Sequence, residues 1–178
     1  MMRFAIGTSV TAALVLAAGS TGAQVARNGY ALPLSLAMEA AAEAVRACES
    51  NGYAVSAAVV DVSGVVKIQA KGDHSTIHTR DSSFRKAYTV VTLGPIFHFD
   101  ASSTFAELAA KNPAGPAILS LPDILPLAGG VAIKVGDEIV AALGVGGAPG
   151  GDKDEACARA GVAKIQDRVT AAVQKRAG

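Results

Sequence analysis

The chain has 178 residues, of which 51% are hydrophobic, 4% aromatic and 17% charged, so its apolar content is mainly aliphatic. This composition excludes an intrinsically disordered chain, which would be poor in aliphatic residues and rich in charge. Sixteen basic against fifteen acidic residues give a formal charge of +1, without the cationic excess that a nucleic-acid partner requires.

The amino-terminal segment has the pattern of a secretory signal peptide. Residues 1–3 carry one positive charge, residues 4–18 are mostly apolar, and residues 21–23 are small. The apolar stretch is shorter than the roughly 20 residues that a spanning helix needs, and no later segment is long enough. We therefore expect residues 1–23 to be cleaved, leaving residues 24–178 as a single periplasmic or secreted domain with no membrane span.

The next segments predict a helix, a hairpin and a second helix. Ser35 is the expected N-cap of the first helix, and Asn51-Gly52 closes it. Residues 53–60 and 65–70 are dense in Val and Ala around a turn at 61–64, which predicts a β-hairpin. After a polar loop, Thr79 begins a helix that we expect to end near Leu93, before Gly94-Pro95.

The remaining segments predict a short helix, a hairpin and a long final helix. Thr104 opens a capping box whose helix ends at Asn112-Pro113, and a proline-rich stretch follows it. Two strands over 131–135 and 138–145 flank a Gly136-Asp137 turn, and an apolar stripe from Ala158 onward marks the last helix. Because hairpins dominate, the fold class is α+β with a mainly antiparallel sheet covered by helices.

Two cysteines, Cys48 and Cys157, fall within predicted helices. An exported protein meets an oxidising compartment, where the two could form a disulfide. Two small buried hydrophobic side chains are the alternative, and the sequence leaves both open. The chain contains no Cys-x-x-Cys, which excludes a thioredoxin-like motif and a cysteine-type zinc site.

The glycine-rich loop at 144–151 lies between a strand and a helix, where phosphate sites are built. Pro149 stands where the third Gly of a dinucleotide fingerprint belongs, and Asp152 and Asp154 would repel a phosphate at the helix start. We therefore interpret the loop as one that allows a strand and a helix to pack closely.

The chain has three histidines. His74 and His78 are four residues apart, a spacing that can chelate a metal on a helix; the alternative is two exposed loop residues. No H-E-x-x-H pattern supports a zinc hydrolase. His98 lies between two Phe residues, as an ordinary packed side chain or as part of a haem wall.

The start of the second helix carries Arg80, Asp81, Arg85 and Lys86. The simplest interpretation is a solvated, salt-bridged face, with Asp81 and Arg85 at i and i+4. The same cations could instead receive a carboxylate or a haem propionate.

Two regions carry a resemblance to a known family. Residues 81–89, Asp-Ser-Ser-Phe-Arg-Lys-Ala-Tyr-Thr, resemble a central helix motif in which Lys-Ala-Tyr/Arg-Thr follows a Ser- or Thr-led start. Residues 129–147, followed by the Asp152-to-Gly161 segment, are similar to the same family's carboxy-terminal signature. The chain is thus identified as a member of the GlcG/HbpS-like group of haem-binding (heme-binding) proteins over about residues 33–172.

The resemblance implies a profilin-like fold, with a five-stranded antiparallel sheet covered by helices on both sides, and assembly into homo-oligomers. It also implies that haem is the cofactor, which some exported members of the family sense, sequester or degrade. The positions that match the family's loop and helix are His78, Thr79, Arg85 and Lys86, which become the expected cofactor-binding residues.

The leading hypothesis is an exported haem carrier, scavenger or sensor in which His78 or His74 binds the iron. A second hypothesis is a small-molecule enzyme or accessory protein of a glycolate-type catabolic pathway, with Arg80, Lys86 or Tyr88 as acid, base or carboxylate clamp. A third is a structural oligomeric module without a ligand.

Overall fold

The computed structural model describes residues 31–177, with side chains as far as residue 171. Its elements follow the order α1 (Leu34–Glu49), β1 (Ser56–Asp61), β2 (Val66–Lys71), α2 (Thr79–Phe97), α3 (Ser102–Lys111), α4 (Gly115–Leu119), β3 (Gly130–Val135), β4 (Glu138–Gly146) and α5 (Gly151–Ala177). The expected signal peptide at residues 1–23 lies outside the described residues. None of the described helices is long and apolar enough to cross a membrane.

The described strands form one antiparallel sheet in the order β2-β1-β4-β3. The α+β class with an antiparallel sheet is confirmed, but the sheet has four strands in the described range and the fifth is not confirmed. A single bridge between Ala101 and Val131 extends the β3 edge. That pairing stops after one residue because α3 begins at Ser102.

Helices cover both faces of the sheet, as the family resemblance implied. On one face, α1 and α5 pack on alternate strand residues such as Val59 and Leu143. On the other face, α2 packs on Val60 and Ala142, and Phe105 of α3 joins the same apolar cluster. Burial on both faces explains why β1 and β4 are almost continuously apolar rather than alternating.

Three helix ends differ from the sequence-based expectation. Helix α1 follows Pro33 without a side-chain cap from Ser35, because Pro fits just before the first turn. Helix α2 continues through Pro95, an exposed residue in the last turn where only one helical hydrogen bond is lost. Helix α3 starts at Ser102, two residues before the predicted Thr104. The Ser102 hydroxyl holds this start in place, since it donates to the Leu127 carbonyl and accepts from the Gly130 N–H.

The two cysteines form a disulfide that joins α1 to α5, with Cα atoms of Cys48 and Cys157 5.5 Å apart. Both residues lie in the buried cluster between these helices and the sheet. Of the two possibilities left open, unpaired buried side chains are therefore wrong and the disulfide is confirmed, because packing of α1 on α5 brings residues 109 positions apart into bonding distance.

Candidate functional site

The candidate site is built on the first turns of α2 and on the loop before it, residues 72–78. A buried chain of hydroxyl groups anchors this loop to the sheet. Ser56 Oγ of β1 lies 2.8 Å from Thr79 Oγ1 and 3.2 Å from Ser75 Oγ. Thr79 Oγ1 also donates to the Thr76 carbonyl at 2.6 Å. The loop is thereby held in one arrangement rather than left to solvent.

The anchored loop presents two exposed histidines. His78 precedes α2, and its Nδ1 lies 3.1 Å from Thr76 Oγ1. His74 has a left-handed backbone, with φ of 63°, in the turn after β2. The segment between them is not helical, so the two imidazoles do not form the i, i+4 pair of a helical chelate. Among the described residues, no group of three His, Cys, Asp or Glu side chains could hold a metal ion.

His74 lines an open cleft of about 430 Å³ between the end of α1 and the loop after β2. Tyr53 and Glu49 line the same cleft, and Lys153 lies over the Tyr53 ring at 5.4 Å from its centroid. The cleft therefore combines the His74 imidazole and the Tyr53 phenol ring with the carboxylates of Glu49 and Asp73.

The predicted residues of α2 separate into two stripes, because residues seven apart lie within about 20° of one another on a helix. Thr79 and Lys86 share the stripe that faces the sheet, and each is almost fully buried. His78 and Arg85 share the outer stripe, about 10 Å apart along the axis by the helical rise.

Lys86 lies in the protein interior, where its ammonium group is already occupied. Its Nζ donates to Asp154 Oδ2 at 2.6 Å and to the Val145 carbonyl at 3.0 Å. Asp154 Oδ1 in turn accepts the Ala148 N–H at 2.9 Å. The structure does not place Lys86, or the equally buried hydroxyl of Thr79, where a propionate could reach it. Both residues instead fix the position of α2.

Arg85 remains partly accessible on the outer stripe. Its Nη2 donates to the Ile124 carbonyl at 3.0 Å, whereas its Nε is buried without a hydrogen-bond partner among the described residues. A buried guanidinium N–H without an acceptor indicates a missing water or ligand oxygen. Of the two predicted cations on α2, Arg85 is therefore the one whose side chain stays partly accessible.

The residues of the alternative enzyme hypothesis are not brought together. Arg80 is exposed and pairs with the adjacent Asp81, while Lys86 is held in the interior. Tyr88 packs its ring on Phe84 at 5.5 Å between centroids. These three side chains therefore form no common pocket in the described structure.

Residues 32–163 match the family described as haem degrading protein HbpS-like. The chain belongs to the HbpS-like family. No curated protein matches the chain at a significant level. The match to the family model confirms the resemblance based on the α2 motif and the carboxy-terminal signature.

Solved structures agree with this membership. A double mutant of HbpS from Streptomyces reticuli is 37% identical, with a TM-score of 0.70, over 88% of this chain and 99% of that chain. Another HbpS structure is 36% identical with the same TM-score, over 85% and 99% of the two chains. A PduOC:haem complex is 18% identical with a TM-score of 0.67, over 76% and 95%, and shares the fold alone with this HbpS-like chain.

The sequence did not predict the anchoring network or the role of Asp154. Ser56 and Ser75 carried no motif, and Asp154 was interpreted only as charge at a helix start. A buried lysine requires a partner, but the sequence does not reveal that Lys86 faces the sheet and so gives no signal for Asp154.

Proposed function

We propose that this chain is an exported haem-binding protein that acts as a carrier, scavenger or sensor. The observation that carries the proposal is the outer stripe of α2, which aligns an anchored imidazole, His78, with the partly accessible guanidinium of Arg85. Membership of the HbpS-like family and the fold shared with a haem complex support haem as the ligand.

His78 is the proposed iron ligand because its second nitrogen is available. In one neutral tautomer of His78 the proton is on Nδ1, which donates it to Thr76 Oγ1. The other ring nitrogen, Nε2, is then unprotonated and can bind iron. A hydrogen bond of this kind orients a ligating imidazole and raises its basicity. His74 is the second candidate because it lines the neighbouring cleft with Tyr53.

Arg85 is the proposed partner of a haem propionate. A guanidinium binds a carboxylate through charge-assisted hydrogen bonds, and the Arg85 side chain, unlike that of Lys86, is partly accessible on the outer stripe. The half-buried rings of Phe84 and Tyr88 provide an apolar wall on the same helix. Haem, when bound, would supply the redox chemistry of its iron, while these residues bind and orient it.

We also propose that a second copy of the chain completes the site. The outer stripe is open, and Ile77, next to His78, is 93% exposed. A large apolar side chain at such a rim favours contact with another surface. The chain has few aromatic residues to enclose a flat ring, which supports binding of haem between subunits of a homo-oligomer.

Export to the periplasm or the cell exterior remains part of the proposal. The pattern of residues 1–23 supports it, and the disulfide between Cys48 and Cys157 supports it independently, since such bonds persist in oxidising compartments.

Titration of the purified protein with ferric haem, followed by its Soret absorption, tests the proposal. The wild-type chain should give a saturable shift, His78→Ala should change the position and amplitude of the band, and Arg85→Gln should weaken binding about tenfold with little spectral change. Thr76→Val should weaken binding while keeping the ligand.

His98→Ala is the matched control, because His98 lies at the other end of α2 and should leave the titration unchanged. Absence of a saturable shift in the wild-type protein would refute haem binding. An unchanged band in the double variant His74→Ala, His78→Ala would refute the ligand assignment alone.

A further inference from the structure

A second cleft, of about 620 Å³, lies at the carboxy-terminal end of α2. The 19 residues of α2 separate it from His78 by roughly 28 Å. The end of α2 and the segment to α3 form one wall, and the turn between β3 and β4 forms the other. Its volume is within the usual range of small-molecule sites.

The cleft has an apolar floor. Phe99 and Ile139 line it and are only 3% and 8% exposed. Phe99 is held in place by stacking on Phe105, with ring centroids 5.2 Å apart. A floor fixed in this way can receive the apolar body of a ligand without rearrangement.

The rim of the cleft is predominantly acidic. Asp137 and Glu138, from the turn between the strands, are exposed and form no ion pair within the described part of the chain. Asp100 is neutralised by Lys134, whose Nζ lies 3.0 Å from its carboxylate. The end of α2 adds the partial negative charge of its last carbonyl groups. The rim therefore favours a cation over an anion.

His98 completes the wall in an unusual conformation. It follows the last residue of α2 with φ and ψ both 55°, and its backbone N–H donates a hydrogen bond to the Gly94 carbonyl. Glycine is the usual residue at such a left-handed helix end, since a side chain there incurs strain. This chain places an exposed imidazole at that position, beside the apolar floor, and strained positions of this kind cluster at ligand sites.

We propose that this cleft binds a small organic cation with an apolar body, such as an aromatic amidinium or a hydrophobic amine. The apolar body lies on Phe99 and Ile139. The carboxylates of Asp137 and Glu138 receive the cationic group, and the His98 imidazole accepts a hydrogen bond from it. The assignment does not depend on haem binding at the other end of α2.

The test is an NMR titration of the isotope-labelled, disulfide-bonded protein with benzamidinium. Benzoate and benzamide serve as probes with the same ring and a negative or neutral group. Benzamidinium should give saturable shifts confined to the residues around His98, Phe99 and Glu138, and benzoate should give none. The double variant Asp137→Asn, Glu138→Gln should weaken binding about tenfold.

Two further variants separate recognition from folding. His98→Gly keeps the left-handed backbone while removing the imidazole, so it should weaken binding several-fold without loss of folded signals. Asp73→Asn removes an exposed carboxylate from the other cleft and should change nothing. Equal affinity for benzamide or benzoate, unchanged affinity in the double variant, or shifts that map elsewhere would each overturn the proposal.

Discussion

Lys86 and Asp154 form an ion pair inside the protein, with Nζ and Oδ2 2.6 Å apart and side chains that are 2% and 4% exposed. The two residues are 68 positions apart in the chain. Their contact joins the middle of α2 to the first turn of α5, and the bond from Lys86 to Val145 O adds the end of β4. The pair therefore connects three elements behind the candidate haem site.

Breaking this pair should destabilise the protein strongly. Lys86→Met leaves the Asp154 carboxylate buried without a counter-charge, and we expect a loss of about 3–5 kcal/mol in unfolding free energy. Urea unfolding of the oxidised protein measures it. Lys134→Met, which breaks the more exposed pair with Asp100, is the control and should cost less than about 1 kcal/mol.

The double variant Lys86→Met, Asp154→Leu should recover much of the stability that Lys86→Met loses, because no charge is then left buried alone. Equal urea midpoints for Lys86→Met and wild type would contradict a structural role for the pair.

Removing the disulfide should also reduce stability. The bond closes a loop of 109 residues, for which chain entropy gives an upper expectation of about 4–5 kcal/mol. Urea unfolding with and without a thiol reductant measures the difference. The double variant Cys48→Ala, Cys157→Ala should match the reduced protein and be insensitive to reductant. A reductant-independent midpoint in the wild-type chain would show that the bond is absent in solution.

The Glu39–Arg168 pair between α1 and α5 should make stability depend on pH. Hydrogen bonds from Arg168 lower the pKa of Glu39 from its ordinary value of 4.5. The pKa of Glu39 is therefore lower in the folded than in the unfolded protein. The stabilisation that the pair gives the folded state is complete above about pH 5 and is lost as the pH falls through the folded-state pKa. Wild type should therefore exceed Glu39→Gln in urea midpoint at neutral pH, and the two should converge in acid.

Glu107→Gln is the control for that experiment, since Glu107 is exposed and forms no ion pair among the described residues. Its midpoint should follow that of wild type at every pH. A constant gap between Glu39→Gln and wild type down to the acid transition would indicate that the pair does not shift the titration.

Gly144→Ala should disrupt the packing of α2 on β4. A Cβ at this position would overlap the Ser83 carbonyl oxygen and lie 2.7 Å from the Ala87 backbone nitrogen. Both neighbours are helix backbone, so neither can move aside, and we expect a loss of more than about 3 kcal/mol or failure to fold. Gly136→Asn is the control: its Cβ would meet nothing within 4 Å, and Asn tolerates the positive φ of this turn. Soluble yield and urea midpoint measure both variants, and a wild-type midpoint for Gly144→Ala would refute the close approach.

The elements of the fold were largely predictable because their signals are local. Both hairpins and the helices α1, α2 and α5 follow from the spacing of apolar residues, from glycine-containing turns and from residues that end helices. The glycine-rich segment does permit a close approach, but Gly144 and Gly146 belong to β4 and lie against α2, not against the helix that follows the loop. Errors arose at helix ends, as when α2 continued through Pro95, because a proline in the last turn removes only one helical hydrogen bond.

The candidate site was predictable only as a set of residues. Sequence spacing indicated His78, Thr79, Arg85 and Lys86 but not which face of α2 each one occupies relative to the sheet. The direction of α2 across β1 and β4 decides this, and it turns Thr79 and Lys86 inward and leaves His78 and Arg85 outside. That direction depends on packing between distant segments, which no local pattern encodes.

By itself, the sequence determined the α+β class, the positions of the hairpins and the family, because periodicity, turns and motifs are written in consecutive residues. Only the tertiary structure decided that Cys48 meets Cys157, that Lys86 meets Asp154 and that a cleft forms beside His98. Each of these requires residues far apart in the chain to come within a few ångströms, and the burial of both sheet faces under α1, α2 and α5 is what brings them together.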